Sequence, residues 1–130
     1  MFYNITAVFI GGGAGCALRF LIGEIFLKNF SLNLPAATFL VNVSGGLLIG
    51  FLFALFTAPE LAAKPEINPA VKFALTAGFC GGLTTFSTFS LELFEMIEHA
   101  EFIQATAYAV LSVAVCLAAV WMGVYLAKLV

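Results

Sequence analysis

From Pro35 to Thr57 the chain reads PAATFLVNVSGGLLIGFLFALFT, a run without one charged side chain. A helix crosses the hydrocarbon of a bilayer with about 20 predominantly apolar residues, and this run is long enough to do so. Stretches over about 2–27, 69–97 and 102–127 have the same character. Composition removes the soluble alternative. The 130 residues are 63% hydrophobic and only 9% charged, whereas a soluble domain carries roughly a quarter charged residues. The outer surface must therefore face lipid. The expected fold class is an all-α membrane protein, one membrane domain over 1–130 with four transmembrane helices. Pro35 and Pro69 each follow a short polar stretch and look like first-turn prolines. The N-terminal MFYNITAVFI lacks a basic region, so the first stretch reads as a retained span, not a signal peptide.

Several function classes fall away. The formal net charge is −2 and no basic run exists, so nucleic acid is not an expected partner. Cys16, Cys80 and Cys116 are far apart and lack metal-ligand spacing; they read as small buried apolar residues. The sole histidine, His99, stands beside glutamates at a segment end and reads as solvated. GGGAG at 11 to 15 is not a phosphate loop, because no Gly-Lys-Ser/Thr follows it. No span carries a nucleophile with a base, so an enzyme is not expected and no catalytic residue is named.

Four spans would place both termini and the linker 58–68 on one side, with Lys64, Lys72 and Lys128. The other side would carry Lys28, with Arg19 just above it. That is a feeble positive-inside bias. It fits a fixed topology with a weak signal, and it equally fits a chain that inserts both ways and pairs with an inverted copy. Four helices of this length enclose little by themselves, so oligomerisation is expected. Gly11 with Gly15, Gly46 with Gly50, and Gly78 with Gly82 have the spacing that lets membrane helices approach closely.

The third stretch contains GFCGGLTTFSTFS at 78 to 90. Adjacent Gly81 and Gly82 weaken a helix by about 1 kcal/mol each relative to alanine, and two β-branched threonines follow. A break here would free backbone groups, which are tolerated at membrane depth only inside protein or along a cavity. The first half-helix would end near 80–83 and present carbonyls; the second would begin near 84–86 and present amides. Carbonyls suit a small cation and amides face an anion. Beyond the break, Phe86 and Phe89 share a helical face, while Thr84, Ser87 and Thr88 supply hydroxyl donors. Phenyl edges are positive. Edges and hydroxyls can hold an anion without a fixed charge, weakly enough for it to leave. Alternatively, the glycines only admit a neighbouring helix and the rings are lipid-facing bulk.

Asn42 sits inside the second stretch, where unused amide donors and acceptors are costly. Tyr108, Ser112 and Cys116 form one stripe on the fourth and can line the same pathway. Arg19 either attracts anions at a vestibule or snorkels to the interface. Glu24 and Lys28 form an i, i+4 pair. Glu92, Glu95, Glu98 and Glu101 read as a solvated acidic rim.

Taken together, GGGAGCALRF at 11 to 20, TFLVNVSGGLLIG at 38 to 50 and above all GFCGGLTTFSTFS make the chain resemble the bacterial fluoride channel family known as Fluc or CrcB. The likeness covers the whole chain. It implies an antiparallel, dual-topology homodimer in the bacterial cytoplasmic (inner) membrane, with the third helix broken mid-membrane and two parallel pores. Passive fluoride export would lower cytoplasmic fluoride and give fluoride resistance. The resemblance implies a structural sodium ion, not transported, held by the backbone carbonyls matching Gly81 and Thr84 in both subunits. It assigns Phe86, Phe89, Ser87, Thr88, Asn42, Tyr108, Ser112 and Cys116 to the fluoride pathway and Arg19 to the vestibule. Cys116 and Val120 depart from the hydroxyl residues usual in the family's fourth-helix track.

Two other classes are compatible with four short spans. A proton-coupled multidrug exporter needs a membrane-embedded carboxylate in the first span, where Glu24 is the candidate. A non-transporting assembly subunit would pass no ion at all.

Overall fold

The computed structural model describes residues 1–29, 35–57 and 67–129. Lys64, which the topology reading above used, lies outside the described residues. The regular secondary structure described is entirely helical. Helix α1 spans Phe2–Asn29, α2 spans Ala36–Thr57 and, at the other end of the chain, α6 spans Phe102–Ala127. These three are long and apolar enough to cross a membrane.

The stretch between them is segmented. Asn68 caps its start, its Oδ1 accepting the Ala70 amide at 2.9 Å, and Pro69 occupies the first turn, where its missing N–H costs nothing. Helix α3 (Pro69–Phe73) passes into a π-wound segment, Ala74–Cys80, and then into a short α4, Gly81–Leu83. Thr76 Oγ1 donates to the Lys72 carbonyl at 2.8 Å where the winding changes. Thr84 (φ −81°, ψ 157°) and Thr85 (φ −150°, ψ 120°) are extended, and α5 restarts at Phe86 and runs to Glu98.

The break therefore falls on the threonine pair and not on Gly81 and Gly82, which remain helical. β-Branched side chains favour extended backbone, and the glycines serve a different end. A Cβ on Gly82 would overlap the Gly12 carbonyl, whereas one on Gly81 would meet open space.

Glycine contacts organise the bundle into two tight pairs. Along α1, a Cβ on Gly11 or Gly15 would strike the backbone of Ala74 or Phe79. Between α2 and α6, one on Gly50 would strike the Val120 carbonyl, and one on Gly123 the Leu47 carbonyl. Without a hydrophobic force between helices in lipid, close backbone approach supplies the packing energy. Helix α5 turns into α6 through Ala100 at φ 58°, with Glu101 N bonded to Met96 O at 2.8 Å and Ala100 N to Ile97 O at 3.0 Å. This αL closure folds α5 onto α6, where Phe89, Met96, Ala105 and Tyr108 form a buried cluster. Outward faces carry Phe9, Phe53 and Trp121, side chains suited to acyl chains. Trp121 stacks on Tyr125 near the end of α6 at 6.3 Å.

Gly50→Ala should lower stability by about 1–3 kcal/mol through overpacking. Gly13→Ala, where a Cβ meets nothing within 4 Å, should leave it unchanged or raised. Thermal unfolding midpoints of both variants in detergent check this.

Candidate functional site

The extended pair Thr84–Thr85 creates the site, and Asn42 makes it tolerable. The Asn42 Nδ2 donates to the Thr85 carbonyl at 3.1 Å, and Asn42 Oδ1 accepts the Thr85 amide at 2.8 Å. One side-chain amide thus satisfies both backbone groups of a residue that has left the helix. Thr85 is itself buried.

The same diversion frees carbonyls. In an unbroken helix the Thr85 amide would point at Gly81 O; here it goes to Asn42. The Thr88 amide would point at Thr84 O; here it goes to Thr85 Oγ1 at 3.2 Å. Gly81 and Thr84 are thus residues whose carbonyls lose their regular amide donors to side-chain oxygens. Gly82 O is provided for, since Arg19 Nε donates to it at 3.1 Å. A guanidinium at the carbonyl end of a helix also complements its partial negative charge.

Two hollows flank the break. The first, of about 600 Å³, is lined by Asn42, Gly81, Thr84, Phe86 and Phe89 together with Ser112, Cys116 and Val120 of α6. The Phe86 and Phe89 rings are 5.7 Å apart at 44°. Phe89 is buried against Tyr108, 5.1 Å away, whereas Phe86 is 79% exposed. Ser112 Oγ is buried beside Tyr108 and makes no hydrogen bond of regular geometry. The second hollow, of about 300 Å³, is lined by Arg19, Glu24, Thr38, Thr85 and Thr88 among others.

The expected site residues are therefore distributed. Asn42, Phe86, Phe89, Ser112, Cys116, Gly81 and Thr84 come together on the first hollow, and Arg19 and Thr88 on the second. Ser87 is exposed and lines neither; its Oγ lies 3.2 Å from Thr85 Oγ1. Tyr108 lines neither. Its hydroxyl donates to Glu92 Oε2 at 2.8 Å, and Thr38 Oγ1 donates to Glu92 Oε1 at 2.5 Å.

That carboxylate corrects the reading of Glu92 as part of a solvated rim. It lies one turn nearer the break than Glu95, its charge held by two hydroxyls; Glu95, Glu98 and Glu101 are exposed as expected. The stripe on α6 is likewise divided: Tyr108 faces Glu92, and Ser112 and Cys116 face the hollow. Nor are all three cysteines buried, since Cys16 is exposed and lies 3.6 Å from Arg19 Nη2. Arg19 is a helix-end partner with part of its guanidinium left to the second hollow. Glu24 is paired with Lys28 at 3.3 Å.

Sequence reasoning missed Thr85, Thr38 and Glu92 as members of this site. Thr85 had a signal: it stands three residues before Thr88, the spacing of a helix cap. Thr38 stands four before Asn42, on the same face of α2.

The chain is similar in sequence to known proteins. Residues 6–124 match the family model described as CrcB-like protein, Camphor Resistance (CrcB). The chain is 43% identical over 125 residues to a protein of Pseudomonas fluorescens named fluoride-specific ion channel FluC, covering 96% of this chain and 97% of that one. It is 41% identical over 123 residues to the protein of the same name from Azotobacter vinelandii, covering 95% of each. It is 42% identical over 118 residues to FluC 1 of Yersinia pseudotuberculosis, covering 91% of this chain and 88% of the relative.

Asn42→Leu removes both partners of Thr85 at once. Each unpaired buried group costs about 1–3 kcal/mol, so the variant should unfold at a clearly lower temperature in detergent. Asn42→Gln should retain part of that loss.

Proposed function

Because the chain belongs to the CrcB-like family, we propose that it is a fluoride-selective channel that lets fluoride leave the cytoplasm passively. The observation that carries this is the uncharged hollow at the break, lined by the Phe86 and Phe89 rings together with the Asn42 amide and the Ser112 hydroxyl. Fluoride is small and strongly hydrated. A row of donors and positive ring edges replaces its water stepwise without binding it too tightly for exit.

In this reading Phe86 and Phe89 present their edges to the ion. Asn42 offers the amide hydrogen that Thr85 leaves free, and Ser112 offers its unpartnered hydroxyl. Cys116 supplies only a weak donor. Thr88 serves the side of Arg19, whose charge draws anions toward the second hollow. Ser87 and Tyr108 act through the groups they hold, Thr85 and Glu92, and Tyr108 also seats Phe89. Lower cytoplasmic fluoride gives the cell fluoride resistance.

The further proposals concern assembly. The large hollow is open along one side in a single chain, and a second, inverted copy would cover it. A four-span, antiparallel homodimer of dual topology in the bacterial inner membrane satisfies that need. Sodium fits the residues present: Gly81 and Thr84 offer oxygen ligands, the kind a hard cation takes, and two copies would double their number. Bound there, sodium supplies a structural positive centre and is not transported.

Proteoliposomes of the protein should release fluoride but not chloride to an ion-selective electrode. Phe86→Ile keeps bulk and removes the ring edge, so fluoride release should fall roughly fivefold to tenfold. Undiminished release would remove Phe86 from the pathway. A single cysteine at position 128 in an otherwise cysteine-free chain should label from both membrane faces; labelling from one face alone would refute dual topology.

A further inference from the structure

Among the described residues Thr85 alone lines both hollows, and none of the pathway assignments above gives its side chain a role. Its hydroxyl has three neighbours. It accepts the Thr88 amide at 3.2 Å, donates to Thr88 Oγ1 at 3.0 Å and lies 3.2 Å from Ser87 Oγ. A hydroxyl has a single proton. With that proton given to Thr88, the contact with Ser87 must run from Ser87 to Thr85. Ser87 is then spent as a donor, and the Thr88 proton is left uncommitted, on a side chain that lines the hollow of Arg19.

The backbone consequence is separate. By accepting the Thr88 amide, Thr85 Oγ1 keeps that amide from Thr84 O. By giving its own amide to Asn42, Thr85 keeps it from Gly81 O. Both carbonyls proposed for the cation are thus released by one residue, and the same hydroxyl sets the direction of the donors beyond the break.

We propose that Thr85 is a positioning residue that couples the cation site to the anion path. Its hydroxyl releases the Thr84 carbonyl toward the cation and orients the Thr88 hydroxyl toward the anion. This rests on the channel reading for the anion half only; the cation half is testable without any flux.

The test uses the full-length protein with Thr85→Val, Thr85→Ser and Thr88→Val. The first readout is the rise in thermal unfolding midpoint as sodium replaces N-methylglucamine, which gives an apparent sodium affinity. The second is fluoride release from proteoliposomes. Valine keeps the size and β-branching of threonine but cannot accept the Thr88 amide, which is then without its partner and free to compete for Thr84 O. Thr85→Val should weaken sodium affinity by about tenfold or more, as loss of an outer-shell partner does, and should slow fluoride release several-fold. Thr85→Ser should restore both. Thr88→Val retains its amide and should slow release while leaving sodium affinity unchanged, a split that general destabilisation would not produce.

Wild-type sodium affinity in Thr85→Val, or a loss in Thr85→Ser equal to that in Thr85→Val, would overturn the proposal. So would a shift of sodium affinity in Thr88→Val equal to that in Thr85→Val. If Thr85→Val does not fold, a tenfold loss of sodium affinity relative to wild type in Thr85→Ser or in Thr88→Val overturns the proposal. Should the wild-type protein pass no fluoride, the channel reading fails, and the sodium titrations judge Thr85 independently.

Discussion

The double hydrogen bond between the Asn42 amide and the backbone of Thr85 is the interaction on which the rest depends. Peptide groups in hydrocarbon have no water to fall back on, so a helix in a bilayer can come apart only where something else takes its donors and acceptors. A carboxamide does this with one side chain, because it holds a donor and an acceptor in the relative geometry of a peptide. Asn42 repeats across helices what a neighbouring strand would provide in a sheet. Thr85, the residue it holds, is buried, and in such surroundings a satisfied hydrogen bond is strong and an unsatisfied one costly.

Two rigid pairs hold that contact in register. Glycines lock α1 onto the π-wound segment and α4, and other glycines lock α2 onto α6. The break lies where these pairs meet. Such contacts leave no slack, because the opposing atom in each case is backbone and cannot rotate away. The π winding belongs to the same arrangement: Gly78 and Gly82 face α1, while Thr76, Cys80 and Gly81 face the large hollow. Wide turns of this kind are frequent at functional sites.

Much of this was legible in the sequence, for identifiable reasons. Long uncharged runs announce membrane helices whatever their packing, and glycines at spacing four announce close approach. The run GFCGGLTTFSTFS announced a break with the first half ending near 80–83 and the second beginning near 84–86, and the helix does end at Leu83 and restart at Phe86. What the run did not show is that the glycines stay helical: Gly82 is small for α1, and the threonines leave the helix because Asn42 takes the Thr85 backbone groups. Glu92 was misplaced because glutamates at regular spacing look alike in a sequence. Only the fold brings Thr38 and Tyr108 to one of them. The π segment carries no composition of its own and gave no warning.

Charge placement shows how an anion could be attracted without being trapped. Arg19 spends its Nε on the Gly82 carbonyl and lines the hollow on the far side of Thr85 from the Phe86–Phe89 pair. Its charge is therefore fixed near a mouth and absent from the aromatic region. The half-buried carboxylate of Glu92 has both oxygens occupied by hydroxyl donors, which blunts its repulsion of an approaching anion. What lines the large hollow is uncharged, the Phe86 and Phe89 rings, the Asn42 amide and the Ser112 hydroxyl among it. On α6 that polar lining thins out at Cys116 and ends at Val120. An ion moving in that direction would have to regain water earlier than along a track of uninterrupted hydroxyls. In the proposed channel the length of dry path would thus be set by two side chains of α6, and the affinity within it by groups that bear no formal charge.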